Sequence, residues 1–87
     1  MSYTVLWSER TKDDLSSLGK TERDRIVKKV EMHLAKDPIS LGKPLTANLS
    51  GMYRYRIGDY RIIYEIIKNE LVVIVVRVGH RKDVYEG

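Results

Sequence analysis

Cysteine is absent from this 87-residue chain, which excludes disulfides and thiolate metal sites. Histidine is scarce, and His33 and His80 lie far apart in the sequence, which argues against zinc. The most apolar run, Leu71 to Val76, is far shorter than the roughly 20 residues needed to span a bilayer. The opening Met1-Ser2-Tyr3-Thr4 lacks the basic-then-apolar layout of a secretory signal. Repeats, linkers and low-complexity stretches are missing too. These absences predict one domain over residues 1–87 in a reducing cytoplasm, with no metal, no cofactor and no membrane partner. A chain of this length buries only about 60–65% of its unfolded surface, so modest stability is expected.

What the chain does have is cationic charge. Sixteen Lys and Arg stand against twelve Asp and Glu, for a net charge of +4 and a pI near 9.4. That balance favours a polyanionic partner. The excess is spread over both halves of the chain, so any such partner must be read from the placement of the charges.

The apolar pattern predicts the order β-α-α-β-β-β. Tyr3-Thr4-Val5-Leu6-Trp7 is rich in strand formers. Ser8 is placed to cap a helix through Leu18, with Gly19 as its stop. Thr21-Glu22-Arg23-Asp24 resembles a capping box opening a second helix, along which Ile26, Val30 and Leu34 recur every four residues. Asp37-Pro38 ends it, because a residue before proline is pushed out of the helical region. Residues 38–51 read as a connection. Strand-like runs follow at Met52–Ile57, Tyr60–Ile67 and Leu71–Arg81, with Gly58-Asp59 as a two-residue hairpin turn and Lys68-Asn69-Glu70 turning the chain again. The expected fold is α+β, a helical hairpin packed on a mostly antiparallel four-stranded sheet.

Alternation along Tyr53-Arg54-Tyr55-Arg56-Ile57 places Arg54 and Arg56 on one sheet face. With Gly58 and Asp59 as the whole turn, Arg56 lies opposite Arg61. Two arginines opposed across strands repel, and a sequence shaped for folding alone would avoid them. A bound anion relieves the repulsion, and the planar guanidinium fork suits phosphate. A single solvated arginine, or one neutralised by Glu65, would need no such account; three on one patch favour an anion site.

In the tail, Arg81 and Lys82 extend the basic surface, and Tyr85 is placed to stack on a base or give up a proton. Whether Arg77 and Arg81 share the Arg61 face depends on the register set by the Lys68–Glu70 turn. His80 is the candidate general base near neutral pH, with strand termination as an equal alternative. His33, Trp7 and the other tyrosines read as structural. Lys28-Lys29 reads as a solvated helix face.

The run Leu49-Ser50-Gly51-Met52-Tyr53-Arg54-Tyr55-Arg56-Ile57-Gly58-Asp59-Tyr60-Arg61-Ile62-Ile63-Tyr64-Glu65-Ile66 resembles the RelE family of bacterial and archaeal toxins, as does Val78-Gly79-His80-Arg81-Lys82-Asp83-Val84-Tyr85. The resemblance covers essentially the whole chain. Its Tyr-Arg-Ile-Ile-Tyr core marks the wider RelE/ParE superfamily, and the Arg81 and Tyr85 ending points to the RelE branch. That branch implies a ribosome-dependent endoribonuclease that cuts mRNA in the decoding site and is held inactive by a RelB-like antitoxin. By the same resemblance, Arg61 and Arg81 would hold the scissile phosphate and Tyr85 would orient or stack on the cleaved nucleotide, or join in proton transfer. Arg54 and Arg56 stand where RelE proteins often carry lysines. They can bind RNA and lend charge, together with His80 and Lys82, but arginine does not serve as a base. Two alternatives use the same fold: a ParE-like toxin that binds gyrase and cuts nothing, and a non-catalytic RNA-binding module.

Overall fold

In the computed structural model, which describes residues 2–80, Ser8 marks the first boundary. Strand β1, Thr4–Trp7, ends there and helix α1, Glu9–Ser16, begins. The Ser8 backbone is extended and its hydroxyl accepts the Thr11 N–H at 3.1 Å, satisfying one of the donors a helix start leaves open. The helix closes on Ser17, just short of Leu18.

Helix α2, Lys20–Met32, does not use the expected capping box. Gly19 occupies the N-cap in an extended conformation, φ −65° and ψ 158°, so Thr21 already lies inside the first turn. The apolar spacing holds: Ile26, Val30 and Leu34 are fully buried. Such burial is worth about 1.5–3 kcal/mol per side chain. Leu34 itself belongs to a 3-10 turn, Leu34–Lys36, entered where the helix breaks at His33.

Asp37 leaves the helical region, as a residue before proline must, and its carboxylate caps helix α3, Pro38–Leu41. Strand β2, Lys43–Pro44, follows. The segment expected to be a plain connection therefore holds a helix and a fifth strand. Proline donates no ladder hydrogen bond and fits only an edge, so a two-residue edge strand containing Pro44 reads as loop punctuation.

The remaining strands are β3 Tyr53–Ile57, β4 Tyr60–Ile67 and β5 Val72–His80, each within a residue of expectation. The sheet order is β1-β5-β4-β3-β2, with β1 parallel to β5 and every other pairing antiparallel. Among the described residues the fold is α+β, with five strands instead of four. Among the described residues no helix is long and apolar enough to cross a membrane.

Helix α1 lies along β5 where β1 has ended and the sheet edge is open. The buried Thr11 hydroxyl donates to the Val75 carbonyl at 2.8 Å. Asp14 accepts the Val78 N–H at 2.9 Å and the Arg77 Nε–H at 3.1 Å. Side chains thus satisfy backbone groups that a further strand would otherwise have to pair.

One sheet face carries the main core, where Ile26, Val30 and Leu34 meet Tyr55, Ile57, Ile62, Tyr64, Val73, Val75 and Val78. The other carries a smaller cluster of Leu45 and Ile63, flanked by Leu49, Met52 and Val76.

Tyr64 is fully buried, stacks on Tyr53 at 5.6 Å, and donates its hydroxyl to the Pro38 carbonyl at 2.7 Å. Burial, with lesser contributions from Tyr53, Tyr55 and Asp37, holds this phenol above its ordinary value of 10.0. The folded state therefore keeps a proton that the unfolded state releases above pH 10. Stability from this group is intact below that pH. It falls as pH rises toward the raised value, by about 1.4 kcal/mol per pH unit. Tyr64→Phe is expected to cost about 1–2 kcal/mol at neutral pH and to flatten that alkaline slope. Urea unfolding from neutral pH to above pH 10 checks this, and parallel slopes for the two proteins would refute it.

Candidate nucleic-acid interface

The tight turn between β3 and β4 determines which side chains meet. Gly58 sits at φ +58° while Asp59 stays at negative φ. That suits a two-residue hairpin with glycine at its first central position. The pairing that results is Ile57 with Tyr60, Arg56 with Arg61, Tyr55 with Ile62 and Arg54 with Ile63. Arg54, Arg56 and Arg61 therefore share the face away from α2, as their alternation implies.

Lys43 joins them. It lies directly across from Arg54 in the β2–β3 pairing, so the patch holds four cations among the described residues. Sequence reasoning missed it because Gly42-Lys43-Pro44 reads as a loop. The overlooked signal was Pro44, which an edge strand tolerates. Leu41, Lys43, Arg54 and Arg56 line a shallow cavity of about 150 Å³. The Arg56 Nε–H donates to the Gly58 carbonyl at 3.3 Å, which turns its guanidinium toward the hairpin tip. Arg56 is exposed, whereas Arg54 and Arg61 are half-buried.

The register also places the residues the sequence left undecided. Arg77 pairs with Ile63, and Gly79 with Arg61. A one-residue irregularity between Ile63 and Tyr64 keeps Arg77 on the arginine face by register. Its Nε nonetheless reaches Asp14, so its charge is matched by a carboxylate on α1.

His80 pairs with Tyr60, on the opposite face from Arg61, and meets that ring edge-on at 5.8 Å. A cavity of about 360 Å³ lies on that side, lined by Asp14, Leu18, Tyr60, Arg77, Val78 and His80 among others. The structure therefore does not bring His80 onto the arginine row. His33 accepts or donates a 2.6 Å hydrogen bond between its Nδ1 and the Tyr55 hydroxyl, and burial raises the Tyr55 phenol above its ordinary range. Trp7 donates its indole N–H to Glu31 at 3.2 Å. These two play the structural part expected of them. Arg81, Lys82 and Tyr85 lie outside the described residues. Among the described residues no group of three or more His, Asp and Glu side chains could hold a metal ion.

A patch of this kind can do two things. It can hold phosphate through charge-assisted, forked hydrogen bonds, and it can stabilise negative charge that grows on a phosphate oxygen.

Comparison with known proteins gives a consistent set of relatives. A family model described as "ParE toxin of type II toxin-antitoxin system, parDE" matches residues 5–85. Toxin RelG of Mycobacterium tuberculosis (strain ATCC 25618 / H37Rv) is 34% identical over 85 residues, covering 98% of both chains. The mRNA interferase toxin RelE of Escherichia coli (strain K12) is 31% identical over 87 residues, covering 94% of this chain and 86% of that one. Among solved structures, the toxin–antitoxin complex RelBE2 from Mycobacterium tuberculosis superposes with a TM-score of 0.90 at 32% identity, covering 95% of each chain. The intact Escherichia coli RelBE toxin–antitoxin complex gives 0.73 at 27% identity, covering 91% of this chain and 96% of that one.

Proposed function

The chain belongs to the RelE/ParE family of type II toxin–antitoxin toxins, and from that premise we propose that it is a ribosome-dependent mRNA endonuclease restrained by a RelB-like antitoxin. The observation that carries this reading is the opposed pair Arg56 and Arg61, with Arg54 and Lys43 beside it on one sheet face. Two arginines opposed across strands repel, and a phosphate between them relieves that repulsion. The similarity to a named mRNA interferase, and to toxins solved with their antitoxins, supports the same reading.

In the proposed reaction the ribose 2′-hydroxyl attacks the adjacent phosphorus. The new bond joins the 2′-oxygen to phosphorus as the bond from phosphorus to the 5′-oxygen breaks. The products are a 2′,3′-cyclic phosphate and a 5′-hydroxyl, the 2′-hydroxyl giving up a proton and the leaving 5′-oxygen gaining one. Arg61 and Arg81 hold the phosphate and offset the charge that builds on its oxygens. Tyr85 orients the cleaved nucleotide. Arg54 and Arg56, where the family often has lysines, supply charge and geometry but cannot take the proton. His80 faces the other side of the sheet, so it is assigned no proton transfer at the arginine row. This leaves positioning and electrostatic stabilisation as the main contribution of the described residues.

Cell-free translation with the purified protein, mapping mRNA ends with and without stalled ribosomes, tests this. Cuts within the decoding-site codon, only when ribosomes are present, are expected. Intact mRNA in the presence of protein that still arrests growth would overturn the proposal. It would favour the second reading, a ParE-like gyrase inhibitor, which the description of the matching family model supports.

A further inference from the structure

The arginine row does not end at the face of the sheet. Arg56 is a wall of two adjacent grooves. On one side it meets Lys43 and Arg54; on the other it meets Arg25, Lys29, Ile57 and Gly58, which enclose about 320 Å³. Arg25 and Lys29 are four residues apart on α2, so they share a helix face and both look toward the hairpin tip. Gly58 permits the close approach: a Cβ there would stand 2.6 Å from Arg25 Nη2.

Among the described residues, no carboxylate lines this second groove. The ion pairs among the described residues engage Arg10, Lys12, Lys20 and Arg77, and none of them involves Arg25, Lys29 or Arg56. Like charges at four-residue spacing weaken a helix, and a third cation across the groove adds to the cost. Both Arg25 and Lys29 are exposed, so nothing in the core requires them.

We propose that Arg25 and Lys29 form a second phosphate subsite for RNA, continuous through Arg56 with the arginine row, so that a bound strand passes round the β3–β4 hairpin tip. This rests on the RNA-cleaving reading above and extends it to a named path for the backbone outside the scissile position.

The test is the salt dependence of binding to a single-stranded RNA oligonucleotide and, separately, to ribosomes. In Arg25→Gln/Lys29→Gln the steepness with which log affinity drops against log salt is expected to fall by about 1.4, at about 0.7 for each of two neutralised phosphates. Binding should weaken equally for unrelated sequences, since backbone contacts carry no sequence information. Lys12→Gln/Lys20→Gln removes the same charge from side chains already paired with Glu9 and Asp24, and should leave the slope near wild type. A fall seen with the oligonucleotide places the messenger strand in the groove. A fall seen only with ribosomes keeps the phosphate subsite and assigns it to ribosomal RNA. An unchanged slope in both, or an equal fall in the control, overturns the subsite while the arginine row stands. Wild-type protein that binds neither would overturn the cleavage reading and this inference with it.

Discussion

Arg61→Ala is expected to abolish growth arrest on induction and to lower mRNA cleavage by about 10²–10³-fold, while the protein stays folded. The size follows from removing one preorganised donor aimed at developing charge. Retention of the fold follows from the register. Arg61 pairs with Arg56 on the face away from the main core, so its truncation leaves the Ile62 and Tyr64 side of β4 in place. Arg61→Lys keeps the charge but loses the fork, and should recover only a fraction of the activity. Cleavage assayed on translating ribosomes, with circular dichroism and thermal unfolding on the same samples, separates the two effects. Full growth arrest by a folded Arg61→Ala protein would remove this residue from the site and, with it, the main argument for phosphate chemistry on this face.

The arginine face could be read from the sequence because two local rules coincide there. Period-two alternation assigns Arg54 and Arg56 to one side, and a glycine-led two-residue turn leaves one register, which sets Arg56 against Arg61. The same logic could not reach Arg77. Its face depends on an irregularity opposite Ile63 and Tyr64, and its role depends on Asp14, 63 residues earlier in the chain. His80 was equally out of reach, since its side of the sheet is set by the same irregularity. Lys43 and the Arg25–Lys29 groove needed tertiary pairing that no periodicity reports. The Thr21 capping box failed for a local reason: Gly19 could occupy the N-cap position itself, which moved the helix start ahead of Thr21.

The largest effect on stability is expected at Gly42, which has no part in the chemistry. A methyl group there would run into the Tyr64 hydroxyl and lie 2.8 Å from the ring carbon bearing it, and 3.0 Å from the Arg54 carbonyl. Neither neighbour can give way cheaply. The Tyr64 ring is fully buried and its hydroxyl is committed to Pro38, while the Arg54 carbonyl belongs to a strand paired on both sides. Gly42→Ala should therefore cost about 3 kcal/mol, at the upper end for overpacking. For a chain of this size that corresponds to a fall of roughly 12–24 °C in Tm. The strain also falls on the β2–β3 pairing that holds Lys43 opposite Arg54, so RNA affinity should drop even where the protein remains folded. Tyr64→Phe removes the atom the methyl group meets first. In the double variant the two costs should therefore sum to less than their separate values, by about 1 kcal/mol or more, as groups in direct contact do. Thermal unfolding of the four proteins completes the cycle. Strict additivity, or a Gly42→Ala protein as stable as wild type, would show that β2 is not held against Tyr64 in the way that places Lys43 in the patch.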